Sequence, residues 1–184
     1  MRFFIALEIP EADKEQIKQV QAQLKTLIPR IKLTDPEKLH LTIAFIGEQD
    51  LSIQDALITA MKNAEVGIGP FSIIPAYLDG FPHLHTAHIL WIGIKGDIDK
   101  LYRLRHHIKD GLENIKLGVD HRRYVPHIAI GKLNNFNLTP NLEKEFERIM
   151  SIQFNPITVS SIKLFESIPE HGLHSHNTLA EIKL

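Results

Sequence analysis

The chain contains 184 residues, 43% hydrophobic and 23% charged, the balance of an ordinary globular protein. A net charge of −1 excludes a basic field spread over the whole surface, so any polyanion must be gripped locally. The absence of cysteine excludes disulfides and thiolate chemistry and fits a reducing cytoplasm.

"RFFIALEI" (Arg2–Ile9) is apolar and aromatic, stops at Pro10 and predicts a buried strand. Charge sets in beyond it, too early for a secretory leader. No apolar run approaches the roughly 18–20 residues that cross a bilayer, so a soluble cytoplasmic chain with no membrane partner is expected. Residues 10–28 place Ile17, Val20, Leu24, Leu27 and Ile28 on one helical face, with acidic residues in the first turn and Pro29 behind. "LHLTIAFI" (39–46) is a second strand, and 51–65 a second amphipathic helix with Ser52 as its expected cap and Asp55 three residues on.

"FSIIPAYL" (71–78) and "AHILWIGI" (87–94) predict paired strands joined by the turn-rich "DGFPHLHT". A helix follows over 97–112, then the strand "PHIAIGKL" (126–133), a helix over 139–150, and strands over 157–168 and 176–184. Without steady βαβ alternation, this order predicts an α+β fold with antiparallel sheets. "HIAIGK" nearly repeats "HLTIAFIG" about half a chain length later, and each lies next to an amphipathic helix. The expectation is one domain over residues 1–184, built as two pseudo-symmetric lobes with flanking helices around a central cleft.

Alternate residues of a strand share a face, so His40 stands beside Thr42 and His127 beside Ala129. Two opposed imidazoles suit a reaction that removes one proton and delivers another, because a histidine near its reference pKa of about 6.5 serves as base or acid. Phosphodiester hydrolysis matches: one ring deprotonates water and the other protonates the departing sugar oxygen. Thr42 and Lys132 can hold phosphate oxygens, and no metal or other cofactor is required. A single histidine in an apolar strand is usually a packed, satisfied residue; the second copy shifts the reading toward chemistry.

Other signals carry less. His83, His85 and His88 lie in a turn without an evident fourth ligand, which argues for an exposed loop over a zinc site. His106 and His107 read as solvated helix positions. "HRRY" (121–124) is the best local basic patch, and Arg122 and Arg123 are placed to steer an RNA phosphate. Phe45, Phe81, Trp91 and Tyr124 are base-stacking candidates, although the core is the expected place for most of them, Trp91 above all. "GIG" at 67–69 lacks the Lys-Ser/Thr of a P-loop.

"RFFIALEIP", "LHLTIAFIGE", "GFPHLHTAHILWIGI", "RRYVPHIAIGK" and "VSSIKLFES", in this order, resemble the 2H phosphoesterase superfamily, and within it the RNA 2′,3′-cyclic phosphodiesterases, also called 2′-5′ RNA ligases. The resemblance covers nearly the whole chain. It implies that His40 is the proton donor and His127 the acceptor, that the 3′-oxygen leaves, and that a 2′-phosphate remains. It makes Thr42 a phosphate ligand, sets Lys132 where the family commonly has arginine, and matches Arg123 and Tyr124 to the residues preceding the second motif. The implied partner is RNA ending in a 2′,3′-cyclic phosphate, tRNA fragments among the candidates. The sequence leaves the oligomeric state open, and a monomer is the expectation. ATP-independent 2′-5′ ligation is the reverse reaction the resemblance also allows.

The chain departs from the pattern at Ala129, where the second threonine is expected. The family's C-terminal tyrosine has no clear counterpart, with His174 and His176 nearby. Two alternatives therefore stay open: a non-catalytic binder of RNA ends or nucleotides on the same fold, and a related phosphodiesterase for cyclic nucleotides or 2′-5′ oligonucleotides.

Overall fold

The computed structural model describes residues 1–118, 122–170 and 173–184. Among them, nine strands form one antiparallel sheet carrying four α-helices, an α+β architecture. The strands are β1 (Arg2–Glu8), β2 (Lys32–Leu33), β3 (His40–Glu48), β4 (Phe71–Phe81), β5 (Ile89–Gly96), β6 (His127–Lys132), β7 (Ile157–Val159), β8 (Ser161–Glu170) and β9 (Leu173–Lys183). The helices are α1 (Glu11–Leu27), α2 (Gln54–Ala64), α3 (Ile98–Asn114) and α4 (Pro140–Met150).

The sheet runs β7-β4-β5-β6-β3-β1-β8-β9, with β2 paired to β6. Its midline falls between the two histidine strands, so one lobe is β6-β5-β4-β7 and the other β3-β1-β8-β9. Residues 157–168 are expected from sequence to form one strand. In the fold Ser160 breaks it, and β7 pairs with β4 in one lobe while β8 pairs with β1 in the other. Val159 and Ser161 are two residues apart, so these far positions in the strand order lie within about 7 Å. The sheet must therefore curl strongly, which makes one face concave.

The helices cover the other face. Ile17, Val20 and Leu24 of α1 are fully buried, as their spacing predicts. α1 belongs to the first half of the chain but packs on β6 and α4; α3 belongs to the second half but packs on β3 and α2. This exchange merges both halves into one core containing Leu41, Ile43, Ile128 and Ile130. The expected Ser52 cap is corrected: Asp50 accepts from the Ser52 amide (2.9 Å) and starts a short 3₁₀ turn, and α2 begins only at Gln54.

α1 also buries a polar residue that periodicity gives no reason to place. The Gln21 amide donates to the Thr34 carbonyl (2.8 Å) and the Ile130 carbonyl (3.0 Å), bonding helix to strand across the core. Replacing Gln21 by Met keeps the volume, takes the side-chain donor from the Thr34 carbonyl, and leaves the Ile130 carbonyl only its bond from the Thr34 amide (3.0 Å). A loss of about 1–3 kcal/mol is expected in denaturant unfolding, within a single cooperative transition for the whole chain.

Candidate active site

The two lobes join where Leu41 of β3 pairs with Ile128 of β6. Antiparallel register then sets His40 across from Ala129, and Thr42 across from His127. The two histidines are diagonal neighbours on the concave face, a relation that spaces side chains by roughly 7–8 Å at their bases. That separation leaves room for a phosphate between the rings.

Both motif strands bulge at the same offset. Against β1, Ile43 is the extra residue between Thr42 and Ala44; against β5, Ile130 is extra between Ala129 and Gly131. A bulge resets strand parity. Simple alternation puts Lys132 on the face opposite His127, but the bulge returns it to the concave side, across from Ile89, which lines the cleft. Phe45 is returned to the His40 face in the same way and is 56% exposed there, outside the core where it was expected.

Each imidazole is held by the same device. His40 Nδ1 lies 2.7 Å from the Lys38 carbonyl and His127 Nδ1 lies 2.7 Å from the Val125 carbonyl, each two residues back along the chain. A carbonyl only accepts, so Nδ1 carries the proton and Nε2 of the neutral ring keeps its lone pair for the cleft. Aromatic walls fix the rings further. Phe4 and His176 flank His40 at 5.2 and 5.4 Å, and Phe81 and Trp91 flank His127 at 4.8 and 5.5 Å between centroids.

Desolvation by these walls pushes both histidines below the ordinary value, against the raising effect of the carbonyl bonds; for His40 the charge of His127 lowers it further. Glu8, across from His40 on β1, forms an ion pair with Lys163 of β8.

Beside His127 opens a cleft of about 600 Å³ lined by Phe81, His88, Arg105, Arg122, Arg123 and Tyr124 among others. Arg122 and Arg123 thus lie at the site, while His121 falls outside the described residues. Tyr124 lines the cleft, but its hydroxyl donates to the Thr42 carbonyl (2.8 Å), tying the loop before β6 to β3. Burial raises its pKa. Arg105, over the Tyr124 ring at 5.1 Å, is a cleft residue the sequence reading missed, since nothing in "RLRHHIK" separates it from a solvated helix arginine. His107 of that run is half-buried, and its Nδ1 lies 3.0 Å from the Ala64 carbonyl at the end of α2, whereas His106 is exposed as expected. Trp91 is buried, as expected.

The model of the LigT-like phosphoesterases matches residues 7–91. The RNA 2′,3′-cyclic phosphodiesterase of Methanocaldococcus jannaschii is 31% identical over 91% of both chains. The chain belongs to the LigT-like phosphoesterases of the 2H superfamily. A second relative of the same name, from Archaeoglobus fulgidus, is 25% identical over 91% of this chain and 92% of its own. Apo LigT of E. coli superimposes with a TM-score of 0.77 at 18% identity, over 99% of this chain and 96% of its own. Among the described residues of this LigT-like chain, no helix is long and apolar enough to cross a membrane.

A histidine whose folded pKa is depressed binds fewer protons folded than unfolded. His40 and His127 therefore contribute stability above about pH 6.5 that is lost as pH falls toward their folded values. Imidazole NMR titration is expected to show both rings titrating below free histidine, with the Nδ1–H tautomer in the neutral form. A midpoint above 6.5 for either ring contradicts the desolvation argument.

Proposed function

We propose that this LigT-like phosphoesterase opens terminal 2′,3′-cyclic phosphates of RNA and leaves a 2′-phosphate. The observation that carries the reading is the matched pair of Nδ1 tethers, which leaves two Nε2 atoms on one concave face. With phosphorus between the rings, His127 Nε2 takes a proton from water as the water oxygen bonds to phosphorus. The bond from phosphorus to the 3′-oxygen breaks, and the protonated His40 delivers its Nε2 proton to that oxygen. Thr42 and Lys132 bind the non-bridging oxygens, and the Arg105–Arg122–Arg123 side of the cleft takes further backbone phosphates. Tyr124 acts on the substrate site by anchoring the Thr42 backbone.

The names of the M. jannaschii and A. fulgidus relatives support the substrate class. The solved complex of E. coli LigT with 3′-AMP supports nucleotide recognition on this fold. The reading takes residues 1–184 as one monomeric domain meeting RNA, tRNA fragments included, in the cytoplasm. Ligation of 2′-5′ linkages is the same displacement with a 5′-hydroxyl in place of water: the 5′-oxygen bonds to phosphorus, the bond to the 3′-oxygen breaks, and the reverse of this step cleaves a 2′-5′ linkage. Ala129 supports the second reading, a binder that has lost turnover, because it removes a hydroxyl directly across from His40.

Incubation with RNA ending in a 2′,3′-cyclic phosphate, in EDTA, separates the two. Product bearing a 2′-phosphate is expected, and His40→Ala or His127→Ala each lowers kcat/KM by about 10²–10⁴. Turnover that survives His127→Ala overturns the mechanism; tight binding by an inert wild type favours the binder. The pH profile of kcat/KM is expected to be bell-shaped, with both limbs displaced to the acid side of free histidine.

A further inference from the structure

Three phenylalanines stand in one row across the sheet. Phe45 of β3 pairs with Phe4 of β1, and Phe4 pairs with Phe165 of β8. Their rings are close to parallel, at 15° and 16°, with centroids 5.9 and 5.1 Å apart, the offset stacking that aromatic faces favour. Phe4 and Phe165 are buried and form, with Ala6, an apolar cluster apart from the helix-covered core. Phe45, at the end of the row, is the exposed member.

The row ends there because β3 loses its neighbour. β3 and β6 pair at Leu41 and Ile128, and β6 begins at His127, so Phe45 lies beyond the end of its partner strand. A lone exposed apolar side chain is ordinary on a protein surface. Phe45 differs in two ways. The bulge at Ile43 turns it to the face that carries His40 and Thr42, and the stack on Phe4 holds its ring in place. Its exposed surface is therefore a preorganised aromatic contact, to which another flat ring can add at small entropic cost.

The distance from the chemistry fits one nucleoside. Phe4 touches the rings of His40 (5.2 Å) and Phe45 (5.9 Å), so two ring contacts separate the histidine from the end of the row. Along β3 the concave-face order is His40, Thr42, Phe45. In the reaction proposed above, the oxygen leaving toward His40 is the 3′-oxygen of the terminal ribose. That ribose and its base then lie on the His40 side of phosphorus, where the row ends.

We propose that Phe45 is the platform on which the base of the RNA's terminal nucleoside stacks, and that it favours purine over pyrimidine ends because a purine covers more of the ring. Stacking reads area and flatness and not hydrogen-bonding groups, so adenine and guanine ends are held alike. The inference rests on the phosphodiesterase reading for its kinetic arm and stands apart from it in its binding arm.

Two RNAs that differ only in the last base test it. One ends in adenosine 2′,3′-cyclic phosphate, the other in the dihydrouridine equivalent, whose saturated ring is not flat and stacks poorly. Wild type is expected to prefer the adenosine end by about fivefold or more in kcat/KM. Phe45→Ala is expected to erase that preference by slowing the adenosine end alone, and Phe45→Trp to keep it, with thermal unfolding close to wild type in both. Equal losses on the two substrates in Phe45→Ala, a preference that survives it, or a wild type indifferent to the last base overturns the proposal. The binding arm follows the adenine H2 and H8 resonances of 2′-AMP. Upfield ring-current shifts with wild type that vanish with Phe45→Ala support the platform, even if the protein opens no cyclic phosphate and the phosphodiesterase reading falls. Shifts that Phe45→Ala leaves unchanged overturn it.

Discussion

The pairing of β3 with β6 at Leu41 and Ile128 is the constraint on which the rest of the molecule depends. It is a short seam, yet it alone decides which side chains meet. Slipping it by one residue turns every side chain of one strand to the opposite face and separates the imidazoles. The seam is held from below by apolar side chains buried from both strands and by helices exchanged between the halves. Core packing and site geometry are therefore one problem in this fold.

Above the seam, the two motif strands solve the same problem with the same means. A backbone carbonyl two residues upstream fixes the ring, aromatic neighbours dry it, and a bulge three residues downstream brings a fifth residue back into view. What differs is the residue returned: an exposed phenylalanine on one side and a lysine on the other. The lobes share a scaffold and divide the labour, with a cationic cleft beside His127 and an aromatic shelf beside His40. Gln21 supports this division from the core, since its amide holds the carbonyl of the extra residue Ile130.

Much of this was legible in the residues. The strand and helix order follows from periodicity, and the near-repeat of "HLTI" and "HIAI" identifies the histidine pair and its shared face. Family likeness across nearly the whole chain agrees with the relatives found over 91% of its length. Long-range register was not legible. Period-two alternation misplaces Lys132 because a bulge leaves no mark in composition, and it leaves Ser160 unseen as the point where one apparent strand changes lobes. Arg105 was hidden, since it reaches the cleft through packing of a helix, which local sequence does not encode; His176 was visible only as a histidine near the missing tyrosine, without its contact to His40.

The crossover at Ser160 constrains how the molecule can move. A single residue links the outer strand of one lobe to a strand of the other, while the seam joins them on the concave side, so the lobes are bound at two separated places. Together with the helices exchanged between the halves over one core, these links leave no single seam about which one lobe can swing. The gap between the imidazoles is thus set by the shared core, and no jaw-like opening of the body is needed to define it.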